Sequence, residues 1–114
     1  MADDVIYIDI DEGVKRVMNN KKLYIKLLGK FKTDANIDGI SEFLAVGDFE
    51  NAQIQAHTIK GIAANLSLTE LFKQILELEN QIKARAVAPN QMDIVKAAYS
   101  ATVTEVDKVI AENG

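Results

Sequence analysis

The sequence predicts an all-α protein, an up-and-down bundle of helices, and three observations carry that expectation. Apolar residues recur at three- and four-residue steps through most of the 114-residue chain. The breaks between these periodic stretches are short and carry capping or turn residues: Asn19-Asn20, Gly47-Asp48 and Ala88-Pro89-Asn90. No two stretches alternate as paired strands would. The alternation Val5-Ile6-Tyr7-Ile8 is a single short run with nothing to pair with, and one strand alone is not stable.

Taken in order, residues 1–8 read as a loosely ordered lead-in. Asp9 with Glu12 resembles a capping arrangement, and Ile10, Val14 and Val17 keep helical spacing through Met18, a short first helix. Asn20 caps a second helix from Lys21 to about Thr33, whose apolar face is Tyr24, Leu27, Leu28 and Phe31. A third runs from about Ala35 to Val46 through Ile37, Ile40, Phe43 and Leu44. Gly47 follows in the position after a helix that favours glycine. Asp48 caps the fourth, which ends near Leu66.

Ser67-x-x-Glu70 has the form of a capping box for the fifth helix, in which Leu68, Leu71, Phe72, Ile75, Leu78 and Ile82 recur to about Arg85. The only proline, Pro89, lies in the break that follows. The last helix spans about Gln91 to Glu112, with Val95, Tyr99, Thr102, Val106, Val109 and Ile110 inward, and residues 113–114 fray. Met18 and Met92 read as filler at the edge of the core.

The chain reads as one domain over residues 1–114, within the usual size of a single core. Its 48% hydrophobic and 26% charged residues are those of an ordinary globular protein. The absence of cysteine excludes disulfides, thiolate metal sites and a cysteine nucleophile. With a net charge of −4 and lysines interspersed with acids, nucleic acid is not an expected partner. No apolar run is long enough for a membrane helix, and Met1-Ala2-Asp3-Asp4 is too acidic to open a signal peptide, so a cytoplasmic protein that does not contact membrane is expected.

The fourth helix holds the only histidine. On a wheel at ~100° per residue, Ala52, Ala56, Ile59, Ala63 and Leu66 form one stripe, the buried face. His57 falls roughly 140° from its centre, beside Glu50, Gln53, Lys60, Gly61 and Ala64, so its imidazole is expected in water. Lys60, at i+3, is within reach to pair with an anion attached to His57 and favours the neutral, nucleophilic imidazole by charge repulsion. Gly61, at i+4, costs a helix ~1 kcal/mol relative to alanine. Space beside the imidazole is the simplest compensation. Ile54, at i−3, is an apolar residue on the same wet side and suggests docking. Thr58 lies on neither face, and Asn65 reads as a structural residue bonding backbone groups.

Ala56-His57-Thr58-Ile59-Lys60-Gly61 followed by Ala63-Ala64-Asn65 resembles the signature of histidine-containing phosphotransfer (HPt) domains. Leu23-Tyr24, Leu27-Leu28 and Phe31 are similar to the family's preceding helix, Gly47-Asp48-Phe49 to its lead into the histidine helix, and Leu78-Glu79 to the next. Ser67 departs from the pattern, which usually has glycine there. The resemblance implies an antiparallel four-helix bundle with short additional N-terminal helices, and a surface histidine that carries phosphate. It implies His57 as phosphoacceptor through Nε2, Lys60 as charge partner of the phosphoryl group and Gly61 as the opening for access. Glu50, Gln53, Ile54 and Ala64 are the docking residues around them. The partners so implied are receiver domains of response regulators, which bring an acidic pocket and Mg²⁺, and a hybrid sensor histidine kinase. The domain itself is expected to need no cofactor, to hold no metal and to be a monomer, a phosphocarrier and not an enzyme with kinase machinery.

Other chemistry has little support in the sequence. One histidine makes no i, i+4 metal pair, and no glycine-rich loop suggests ATP. An exposed helical histidine lacks the water-excluding pocket of a catalytic triad. Glu77, Glu79, Lys83 and Arg85 read as a solvated helix face. A helical adaptor that binds receivers without transferring phosphate is the alternative function.

Overall fold

The computed structural model describes residues 5–113, among which the regular structure is entirely helical. Six helices follow in order: α1 (Ile10–Arg16), α2 (Lys21–Asp34), α3 (Ile37–Ala45), α4 (Phe49–Asn65), α5 (Thr69–Lys83) and α6 (Gln91–Asn113). They form a helical bundle in which α4 packs against α3 and α5, α6 against α5, α2 and α3, and α1 against α2. Among the described residues no helix is long and apolar enough to cross a membrane.

Of the first five helices, all but one start at a short polar side chain that caps them. Asp9, Asn20, Asn36 and Asp48 accept a hydrogen bond from the backbone N–H three residues on, satisfying a donor that the first turn leaves free. Asn36 therefore begins α3 two residues later than the apolar pattern suggested, and Ala35 before it is extended. α5 is the exception. The expected Ser67 capping box does not form, because Leu68 occupies the N-cap position and no side chain caps it.

Ser67 instead closes α4. Its φ is +55°, its N–H donates to the Ala64 carbonyl and the Leu68 N–H to that of Ala63, the paired bonds of a Schellman ending. The same pair of bonds ends α1 at Met18, α3 at Gly47 and α5 at Arg85, all with positive φ. α1 thus stops at Arg16, and Met18 projects into solvent at 90% exposure where the sequence suggested the edge of the core. A left-handed residue at a helix end turns its side chain away from the helical face that the periodic pattern follows.

Ser67 also ties the N-terminal segment to the bundle. Its carbonyl accepts from the Asp9 N–H, its hydroxyl donates to Glu12 Oε1 at 2.7 Å, and Thr69 Oγ1 donates to the Ile6 carbonyl. Residues 6–9 are thereby tethered, and Ile8 packs against the core. The expectation of loose order at residues 1–4 and 114 lies outside the described residues. Asn113 continues α6, its amide donating to the Val109 carbonyl at 2.8 Å.

The core lies among α2, α4, α5 and α6. Tyr24, Leu28, Phe31, Ile59, Leu71, Ile75, Leu78, Ile82, Val95 and Val106 are fully or almost fully excluded from water. The small Ala52, Ala56 and Ala63 of α4 are equally buried and let its neighbours approach closely. Tyr24 carries its hydroxyl inward and donates to the Leu66 carbonyl at 2.7 Å, so the last turn of α4 is bonded to α2. Burial first, and then Asp9, push this phenol far above its ordinary value. It stays a neutral donor.

Candidate functional site

The buried stripe of α4 is the one its spacing predicts: Ala52, Ala56, Ile59, Ala63 and the capping Leu66 all face the core. The opposite face is open. His57 has 69% of its side chain exposed, Glu50 and Gly61 are exposed, and Gln53 and Ala64 are half-buried beside them. Ile54 is 59% exposed on the same side, so these six residues border one accessible surface, while Lys60 beside them keeps only 20% of its side chain exposed. A Cβ built on Gly61 would meet nothing within 4 Å. Packing within the chain does not require glycine there, and the space it leaves is open to solvent.

α5 supplies the residue that the sequence reading placed wrongly. Glu79 is 1% exposed, not part of a solvated face. Its carboxylate lies under α4, with Oε2 3.2 Å from His57 Nδ1 and Oε1 2.7 Å from Lys60 Nζ. Lys83, one turn further along α5, brings its Nζ to 3.7 Å from Oε2. The Lys60 contact is a charge pair at hydrogen-bonding distance. Lys60 runs its stem over the α4–α5 seam and leaves 20% of the side chain exposed.

Burial pushes the Glu79 carboxyl toward the neutral form. Lys60, His57 and Lys83 together outweigh it and hold the acid below its ordinary range. An ionised carboxylate only accepts hydrogen bonds, so in the His57–Glu79 contact Nδ1–H is the donor. In the neutral imidazole this tautomer places the lone pair on Nε2 of an exposed ring. One buried acid thus selects the tautomer of the imidazole, fixes the ring plane and holds the nearest lysine.

The sequence carries only a partial signal for Glu79. On a wheel at ~100° per residue it falls roughly 70° from the centre of the Leu71, Ile75, Leu78 and Ile82 stripe, within the width a buried face usually has. Its flanking by Glu77, Lys83 and Arg85 concealed this. Arg85 is not simply solvated either: its guanidinium lies 5.1 Å from the centroid of the Phe49 ring, across to the start of α4. Thr58 bonds the Ile54 carbonyl of its own helix. Asn65 is exposed, and its side chain makes no hydrogen bond among the described residues, contrary to the structural role expected of it.

A search of the curated proteins and a search of the solved structures each return no significant match. The family model of the Hpt domain, in contrast, matches residues 27–108, from the second turn of α2 to the last turns of α6. The match includes α4, with its exposed histidine, and α5, with the acid beneath it. Hpt domains are helical bundles that act as phosphocarriers rather than kinases in two-component signalling, where they meet receiver domains and histidine kinases. An all-helical chain matched over most of its length by that model belongs to the Hpt domain family.

Proposed function

We propose that this chain is a phosphocarrier in a phosphorelay, taking a phosphoryl group onto His57 from the aspartate of a receiver domain, or from a histidine kinase system, and passing it to another receiver. The observation that carries the reading is the His57–Glu79 contact, which engages Nδ1 and, in the neutral ring, puts the lone pair on Nε2 of an exposed imidazole. In the transfer, the Nε2 lone pair forms the N–P bond while the acyl P–O bond of the phosphoaspartate breaks, its electron pair leaving with the aspartate carboxylate. The ring gains positive charge as the bond forms, and the Glu79 carboxylate lies against Nδ1–H to balance it. Return of the group to a receiver runs the same step backwards.

Lys60 supplies positive charge one turn from the phosphoryl group, and Gly61 leaves room for the partner's active-site rim. Glu50, Gln53, Ile54 and Ala64 surround His57 and form the docking face. α2, α4, α5 and α6 serve as the four helices of an antiparallel up-and-down bundle, to which α1 and α3 are short additions. The domain works as a monomer in the cytoplasm, with no cofactor of its own. The acidic pocket and Mg²⁺ belong to the receiver, and positioning with charge neutralisation is the main demand on this chain.

The test is incubation with a panel of phosphorylated receivers and Mg²⁺, followed by site mapping. Acid-labile, alkali-stable phosphate on His57 is expected. His57→Gln should keep the helical spectrum, because 69% of the side chain stands in solvent, and take up none. Receiver binding without any transfer would sink the carrier reading in favour of a non-transferring adaptor.

A further inference from the structure

Glu79 has more positive charge around it than one carboxylate needs. Lys60 approaches one oxygen from α4 and Lys83 the other from α5, at 2.7 and 3.7 Å, while the His57 ring holds Oε2 from a third direction. The two lysines differ in freedom. Lys60 is largely covered, whereas Lys83 leaves 52% of its side chain in solvent. Among the described residues no other cation lies within ion-pair distance of this acid.

A phosphoryl group on Nε2 would bring about two negative charges to within one helical turn of Lys60. The ammonium is a compact point charge and does not serve two separated anions equally. If Lys60 turned outward and Lys83 were absent, Glu79 would stay buried with only the imidazole beside it. A buried charge stripped of its partner is strongly unfavourable. Lys83 removes that obstacle. It stands at i+4 from Glu79, already close, and a movement of about 1 Å brings it to the separation Lys60 now has.

We propose that Lys60 and Lys83 form a counter-ion exchange pair on Glu79: as His57 takes up phosphate, Lys60 leaves the acid for the phosphoryl group and Lys83 closes on the acid in its place. Lys83 is then a positioning residue, acting through Glu79 and never touching the phosphate. Its charge matters little to the resting fold and much to the transfer. The exchange rests on the reading of His57 as phosphoacceptor, and its test keeps the two separable.

The experiment uses phosphoramidate, whose P–N bond breaks with release of ammonia as the bond to Nε2 forms, so that no receiver enters the measurement. Wild type, Lys83→Gln, Lys83→Arg, Lys60→Gln and the Lys60→Gln/Lys83→Gln double variant are compared for the rate of His57 phosphorylation. Lys83→Gln should slow uptake several-fold, Lys83→Arg should restore it, and Lys83→Gln should add nothing once Lys60 is gone. Equal rates for Lys83→Gln and wild type, or losses that multiply in the double variant, would overturn the exchange while leaving His57 as acceptor. A wild type that takes no phosphate on His57 removes both. Correlation of lysine ammonium and Glu79 carboxyl signals by NMR gives a readout independent of rates. The Glu79 partner should change from Lys60 to Lys83 on phosphorylation, and a Lys60 pairing that persists refutes the mechanism.

Discussion

Glu79 sets the chemistry of the surface above it, and its charge is the reason. Glu79→Gln keeps the shape but removes the ionised acceptor that orients His57 and balances Lys60, so phosphate uptake should fall by roughly 10- to 100-fold, as when groups that orient a reactive side chain are lost. Transfer kinetics from a phosphorylated receiver measure it. The same acid makes stability depend on pH. Its folded value lies below the ordinary 4.5, so its contribution is fully present above that value and is lost as pH falls through the folded one. Melting curves from pH 7 down to about pH 3 should show wild type losing more stability than Glu79→Gln. Asp48, lowered by its bonds from Asn51, titrates in the same direction in both proteins and cancels in the comparison. Gly61 separates stability from function. Gly61→Ala meets open space and should stabilise the domain by ~1 kcal/mol in urea denaturation, while Gly61→Leu should slow transfer if the proposed partner approaches over this position. If Gly61→Leu transfers at the wild-type rate, the access role is refuted.

Helix ends carry the strain in this bundle. Non-glycine residues with positive φ close α1, α4 and α5, each at a cost of roughly 1–2 kcal/mol that glycine escapes. The three differ in what holds them there. Met18 is exposed and its side chain is outside the core, so Met18→Gly should stabilise the domain by about 0.5–1 kcal/mol after allowing for glycine's freedom in the unfolded chain. Urea denaturation decides this, and a destabilised variant would contradict the strain argument. Ser67 and Arg85 offset their conformations with contacts, the hydroxyl bond to Glu12 and the packing of the guanidinium on Phe49. Their glycine variants gain less. The Ser67 departure from the family pattern therefore leaves the turn geometry intact and uses the hydroxyl to hold α1 against the α4–α5 junction.

At the scale of the molecule, one cluster of buried apolar side chains joins the site to the other helices. Leu78, beside Glu79 and fully buried, lies in that core, so Leu78→Ala should cost 2–5 kcal/mol in denaturation and loosen the acid's position. The helices, their caps at Asp9, Asn20 and Asp48, the inward stripe of α4 and the exposure of His57 were all legible in the sequence. These depend on spacing within one helix and on side chains bonding their own backbone, and both are local. The resemblance around Ala56-His57-Thr58-Ile59-Lys60-Gly61 named the family that the match to residues 27–108 shows. The place of Glu79, the dual role of Ser67 and the outward Met18 were not legible there. Glu79 is separated from His57 by 22 residues, and whether a polar residue at the edge of a stripe is covered depends on the neighbouring helix. The chain by itself thus determined which helix carries the histidine and which way it faces. Only the packing of α5 under α4 decided what holds the ring at Nδ1, because the tautomer of a neutral imidazole is set by the partner of one nitrogen, and that partner comes from another helix.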